Sequence, residues 1–111
     1  MADKEHVSQQ RKFTAIVDED LRDLIPGYME NRRKDIKEIH AALDRNDFEV
    51  IRALGHKMKG SGGGYGFDEI TEIGRVCEEA AKQSQAQEIR EQIRRLQDYI
   101  DNVAVIFQSE R

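Results

Sequence analysis

The sequence has 111 residues, which is enough for one domain with a single hydrophobic core. Charged residues make up 36% and aromatic residues 6%, with one proline and no tryptophan, a composition typical of amphipathic helices. The net charge of −4 argues against nucleic-acid binding, and a single cysteine excludes an internal disulfide and favours a reducing compartment.

The first predicted segments end near residue 44. Residues 1–12 are polar and lack periodicity, so we expect a frayed or disordered N-terminus. No apolar core of a signal peptide precedes residue 13, and no apolar run approaches the roughly 18 residues of a membrane span, so a cytoplasmic protein without membrane contact is expected. Residues 13–17 form a short apolar lead-in that covers one end of the core. Asp18 is the predicted N-cap of a short turn before the first long helix.

The first long helix is predicted from Pro26 to Asp44. Its apolar residues share one sector at 100° per residue, and proline is tolerated in a first turn. Arg32 falls on this apolar sector. The favoured interpretation is a long side chain that carries its charge out to solvent, with a buried ion pair as the alternative.

Three further amphipathic helices are predicted over residues 47–64, 67–82 and 85–108. Asn46 with Glu49, and Ser84 with Gln87, resemble capping boxes at two of their starts. No segment alternates with period two over a useful length, so no sheet is expected. The prediction is an all-α, antiparallel up-down four-helix bundle over residues 13–108, with a short N-terminal lead-in and a tail at 109–111.

The second helix carries the candidate site on its polar face. At 100° per residue, His56 lies about 155° from the direction of the apolar residues Ile51, Leu54 and Met58, so it is predicted to project into solvent. The residues one or two turns away from it include small and cationic ones: Arg52, Ala53, Lys59, Gly60 and Gly63. Small residues let a partner approach the ring, and cations stabilise an anion placed on it. By contrast, His40 is interpreted as a core-edge histidine and Cys77 as a packed thiol, and no metal-ligand spacing is found.

Six of the eight glycines lie in residues 55–66, around His56. Because each glycine inside a helix costs about 1 kcal/mol relative to alanine, the run calls for an explanation. A phosphate-binding loop fits poorly, since Ser61 follows Gly60 directly and the lysine of the Walker A pattern is missing. A flexible turn without chemistry is a second interpretation. A helix face cleared for another protein explains the exposed histidine best.

The run His56-Lys57-Met58-Lys59-Gly60-Ser61, followed by Gly66, resembles the motif of histidine-containing phosphotransfer (HPt) domains of bacterial phosphorelays. The resemblance covers about residues 18–108. It implies a four-helix bundle in which His56 is the phosphoacceptor, Lys59 stabilises the phosphate and Gly60 gives clearance to a partner. Met58 stands where the family usually has leucine, and Gly62–Gly64 replace better helix formers.

The resemblance implies a phosphocarrier without kinase activity, which accepts a phosphoryl group on His56 from a response-regulator receiver aspartate and passes it onward or back. Its expected partners are receiver domains or a hybrid histidine kinase. No cofactor or metal of its own is expected, because the receiver partner would hold the Mg²⁺, and a monomer is expected. The alternative is a non-catalytic helical module that binds a receiver or kinase without being phosphorylated.

Overall fold

The computed structural model describes residues 12–109, most of which are helical. The predicted helices are confirmed, with α1 at Ile25–Asp44, α2 at Phe48–Ser61, α3 at Asp68–Lys82 and α4 at Ala86–Asn102. Each helix packs against the next, and α4 also contacts α1, so the four enclose one core. Its largest fully buried side chains include Ile39, Ile51, Met58, Phe67, Ile73 and Leu96. The prediction of disorder at residues 1–12 lies almost entirely outside the described residues.

Helix starts follow the predictions in part. The Asp18 carboxylate accepts from the backbone N–H of Asp20 at 2.9 Å and caps the 3₁₀ turn Glu19–Leu24, as expected. Both predicted capping boxes are wrong, because Asn46 and Ser84 have φ angles of 55° and 54°. These two residues take the left-handed position that ends the preceding helix, where backbone hydrogen bonds close a Schellman motif. The cap of α2 is therefore one residue later, at Asp47.

A two-stranded parallel sheet corrects the prediction that no sheet forms. β1 (Phe13–Asp18) pairs with β2 (Val103–Gln108), with Phe13 opposite Val103. Consequently α4 ends at Asn102 and not near residue 108. In β1 the buried Ala15 and Val17 alternate with exposed neighbours, so a short period-two pattern is present. These two buried residues join the core, as the lead-in prediction required.

The environment of Arg32 also differs from the favoured interpretation. Its side chain is buried and donates from Nε to the equally buried Asp35 carboxylate at 2.8 Å. The guanidinium also lies over the ring of Tyr28, 4.5 Å from its centroid. The buried ion pair, and not a solvent-directed side chain, is therefore correct.

Among residues 12–109, no helix has both the length and the apolar character needed to cross a membrane.

Candidate functional site

Helix α2 presents His56 to solvent. Asp47 caps its start by accepting from the N–H of Val50, and its apolar face enters the core through Ile51, Leu54 and Met58. Because that face is buried, the opposite face is fixed outward, and the His56 side chain is 67% exposed. The angular prediction for His56 is confirmed.

A carboxylate from the neighbouring helix lies beneath the ring. Glu78 on α3 is buried, with its side chain 8% exposed, and its Oε2 lies 3.0 Å from Nδ1 of His56. Its other oxygen, Oε1, lies 2.7 Å from Nζ of Lys59. One buried carboxylate therefore binds both predicted functional side chains.

This contact determines which ring nitrogen is available. The hydrogen bonds from Lys59 and, less strongly, from His56 lower the pKa of Glu78 against the opposing effect of burial, so the group stays a carboxylate near neutral pH. A carboxylate only accepts hydrogen bonds, so Nδ1 of the ring carries the proton. In the neutral ring Nε2 then holds a free lone pair, on the side of the ring away from Glu78.

Two glycines bring the helices close enough for this contact. A Cβ on Gly55 would lie 2.7 Å from the backbone nitrogen of Glu78, and one on Gly74 would lie 2.5 Å from that of Lys59. Since real Cβ atoms do not come so near, neither position accepts a side chain unless the helices separate. The backbone of α3 at Glu78 therefore runs directly beside the turn of α2 that carries His56.

The remaining predicted residues of α2 lie on the same exposed side. Lys59 is 39% exposed, so its ammonium group is open to solvent as well as bound to Glu78. Ala53 is exposed and presents only a methyl group. Arg52 donates from Nε to Glu49 at 3.0 Å, one turn earlier on the helix, so its charge is already partly neutralised.

The glycines after Lys59 differ in how much space surrounds them. Gly60 is exposed, and a Cβ there would meet nothing within 4 Å, so the surface beside His56 is open. Gly63 is also exposed, but it lies past the end of α2, where its N–H donates to Thr71 Oγ1 at 2.7 Å. A Cβ on Gly62 would lie 2.7 Å from the backbone nitrogen of Thr71, so this position is closed.

The helix ends earlier than predicted. α2 ends at Ser61 and is followed by a 3₁₀ turn over Gly63–Tyr65, whereas the helix was expected to continue to residue 64. Gly66 has a φ of 96°, which glycine adopts without strain, and a Cβ there would lie 2.4 Å from the carbonyl oxygen of Ile16. Gly66 therefore reverses the chain where β1 packs against it.

Glu78 is the residue that sequence reasoning missed. The helical periodicity and the motif around His56 assigned it no role. A signal was present, because Glu78 lies one turn after Gly74 and one turn before Ala81, on the flank of α3 that faces α2. An acidic residue between small residues on a packed flank indicates a buried carboxylate with a partner on the next helix.

Other candidate residues lie apart from this site. His40 lies at the edge of the core beside Ile36, as predicted, but it is exposed on α1 and has no hydrogen-bond partner among residues 12–109, so the expectation that its ring is satisfied is wrong. Cys77 is fully buried, as predicted, and burial raises the pKa of its thiol to about 12, which suppresses its reactivity. Within the described part of the chain, no three His, Cys, Asp or Glu side chains are grouped to hold a metal ion.

Comparison with known proteins gives one match. A family model described as Hpt domain matches residues 23–105, which include all four helices. No curated protein and no solved structure matches the chain.

Proposed function

The chain belongs to the Hpt domain family, and on that premise we propose that it is a phosphorelay intermediate that carries a phosphoryl group on His56. The family carries out histidine phosphotransfer in two-component phosphorelays and has no kinase activity of its own. The finer proposal is that a receiver aspartate of a response regulator donates the group, and that His56 returns it or passes it to a second receiver. The observation that carries it is the exposed ring of His56 bound at Nδ1 by the buried Glu78.

The proposed reaction uses the free nitrogen of the ring. The Nε2 lone pair of His56 attacks the phosphorus of an aspartyl phosphate, a P–N bond forms, and the P–O bond to the aspartate breaks to leave a carboxylate. The proton on Nδ1 stays in place, so the phosphorylated ring is an imidazolium whose charge the Glu78 carboxylate stabilises. The same positive charge makes the ring a good leaving group, which accounts for transfer in either direction.

Lys59 is proposed to bind the transferring group. An ammonium has three N–H donors, and Glu78 Oε1 takes one of them. The other two are free to bind phosphoryl oxygens on the neighbouring ring. Because the chemistry is phosphoryl transfer, positioning and charge stabilisation supply most of the rate.

The partner completes the site in this proposal. The Mg²⁺ that assists the transfer is assigned to the receiver domain. Arg52, Ala53, Gly60 and Gly63 are proposed as the surface on which that domain docks, with Gly60 giving the clearance. We also propose that the helices run up and down in antiparallel order, that the chain acts as a monomer, and that the exchange takes place in the cytoplasm.

The direct test is transfer of label. Radiolabelled receiver domains from the same genome are mixed with the chain, and we expect acid-labile, alkali-stable label on the wild type. The His56→Gln variant should accept none, whereas His40→Gln, which removes another exposed helical histidine, should accept label at the wild-type rate. Label on His56→Gln would contradict the assignment. Binding of a receiver that never transfers label, and that His56→Ala leaves unchanged, would favour the non-catalytic module instead.

The role of Glu78 is tested separately. Glu78→Ala should lower the transfer rate by about 10- to 100-fold, the range found when a carboxylate that orients a metal-bound histidine is removed. Glu78→Gln should recover part of this rate, because its amide oxygen can still accept from Nδ1. Equal rates in the wild type and both variants would mean that Glu78 only fills space.

Access is tested at Gly60. A Gly60→Gln variant places a long side chain on the open surface, so transfer should slow while the fold is kept. Transfer at the wild-type rate would mean that the receiver does not approach over this residue.

A further inference from the structure

A second concave surface lies where α1 and α4 meet. It is a crevice of about 270 Å³, lined from α1 by Ile36 and His40 and from α4 by Arg90, Ile93, Arg94 and Gln97. Ile36 and Ile93 are 5% and 2% exposed and form an apolar floor. The rim is polar and open to solvent.

The charge of this rim is opposite to that of the whole chain. The chain carries a net charge of −4, but no carboxylate lines the crevice, whereas two arginines and a histidine do. Arg94 is bound by Glu91 at 3.2 Å in an exposed pair. Within residues 12–109, Arg90 and His40 have no ion-pair partner. The rim therefore offers an unneutralised cationic group beside an apolar floor.

The size of the crevice decides what it can hold. Ligand pockets for drug-sized molecules are about 300–1,000 Å³, so this open crevice lies just below the lower end of that range and suits a few side chains of a partner better than an enclosed small molecule. Along α4, Arg90 and Gln97 are seven residues apart, or about 10 Å, which is two helical turns. That length matches the spacing of apolar anchors on one face of a helix laid into a groove.

We propose that the groove between α1 and α4 docks an acidic amphipathic helix of a partner protein. Apolar side chains of that helix contact Ile36 and Ile93, and its flanking carboxylates bind Arg90, Arg94 and the ring N–H of His40. The groove lies where α1 contacts α4, whereas His56 lies where α2 packs against α3, on the other side of the bundle. The docked helix and a domain at His56 can therefore bind at the same time. The groove thus anchors the chain to a protein other than the one that contacts His56.

The chain itself does not provide the occupant. All four helices bury their apolar faces in the core, so a second copy has no such helix to give. Residues 1–11 contain only Met1, Ala2 and Val7 as apolar residues and have no amphipathic period. A partner of acidic character therefore fits better than either.

The test uses a designed probe. It is a 15-residue helical peptide with leucine at positions 4, 8 and 11 and glutamate beside them, titrated into the full chain at low salt. We expect the methyl NMR signals of Ile36 and Ile93 to shift. A scrambled peptide of the same composition, whose leucines do not share a face, should bind at least tenfold more weakly. No shift of these signals at millimolar peptide, or equal binding of the scrambled peptide, would overturn the proposal.

Variants locate the binding. Arg90→Glu should weaken the helical peptide at least tenfold, whereas Lys34→Glu, the same charge change at an exposed lysine of α1 that does not line the groove, should have a much smaller effect. His56→Gln should bind the peptide like the wild type. A failure of the groove proposal is therefore distinct from a failure of the phosphotransfer proposal. Equal effects of the two charge changes would show general electrostatic attraction and overturn the site. Preference for phosphatidylserine vesicles over the peptide would overturn it in favour of a lipid surface.

Discussion

Helix α2 lies between two buried carboxylates, Asp35 on α1 and Glu78 on α3, and they are neutralised differently. Their side chains are 7% and 8% exposed. The nearest partner of Asp35 is Arg32, which is as buried as the carboxylate itself, whereas the partners of Glu78 are His56 and Lys59, which both reach solvent. A buried carboxylate that is held chiefly by an equally buried arginine stabilises the structure. A buried carboxylate with exposed partners instead orients and stabilises groups that another molecule can contact.

The neighbouring residues His56 and Lys57 belong to these two different environments. Lys57 reaches Asp35 at 3.7 Å, but that carboxylate is already bound by Arg32, so the lysine adds a secondary contact. His56 is bound by the carboxylate that also holds Lys59. Sequence adjacency therefore does not imply a shared role, and the following variants test the difference.

The largest effect is expected when the buried Arg32–Asp35 pair is broken. Asp35→Leu leaves the charge of Arg32 buried without its carboxylate, and removing one partner of a buried pair costs about 3–5 kcal/mol. We expect a loss of that size in the free energy of unfolding, measured by urea denaturation. The double variant Arg32→Met/Asp35→Leu, which removes both charges, should recover most of it. A loss below about 1 kcal/mol in the single variant would mean that water reaches the pair, as at a surface ion pair.

The next effect concerns the contact between α2 and α3 that brings Glu78 beneath His56. Gly74→Ala gains about 1 kcal/mol of helix propensity, but its Cβ would lie 2.6 Å from the carbonyl oxygen of Gly55 and must push the helices apart. We expect a net loss of about 1–3 kcal/mol, as for other overpacked cores. Nitrogen NMR of His56 should also show a weaker preference for the proton at Nδ1. A more stable protein with an unchanged ring would contradict the close approach.

A smaller effect appears as a dependence on pH. The pKa of Glu78 is lowered in the folded chain, first by Lys59 and then by His56, from an ordinary value near 4.5. The stability that it contributes is therefore complete above pH 4.5 and is lost as the pH falls through the lowered folded pKa. Over that acidic range the wild type should lose stability more steeply than Glu78→Gln in parallel denaturation series. Parallel curves for the two proteins would mean that the contact between the carboxylate and its cations is not formed in solution.

The sequence predicted the helices well because their signal is local. Ile51, Leu54 and Met58 define one face of α2 by spacing alone, and the opposite direction of His56 follows from it. The strands were missed because residues 103–107 also continue the helical spacing of α4. What selects the extended form is pairing with residues 13–18, which are some ninety positions away in sequence.

At the site, too, the features that depend on one helix could be predicted, and those that depend on contacts between helices could not. The exposure of His56 and Gly60 depends on one helix, and both were placed correctly. The burial of Glu78 depends on how closely α3 approaches α2, which Gly55 and Gly74 permit together. No periodicity within one helix contains that information. The carboxylate that sets the state of the histidine was therefore beyond single-helix reasoning.

The smallest effect is expected at Gly60, the counterpart of Gly74. Both glycines lie inside helices, but a Cβ on Gly60 would meet no atom within 4 Å. Gly60→Ala should therefore raise the free energy of unfolding by about 0.5–1 kcal/mol, the ordinary gain of alanine over glycine in a helix. Urea denaturation beside Gly74→Ala checks the opposite signs of the two substitutions. The same change stabilises a helix at an open surface and strains it at a packed one. A loss of stability in Gly60→Ala would therefore place that residue against a neighbour and remove the clearance that the proposed docking at His56 requires.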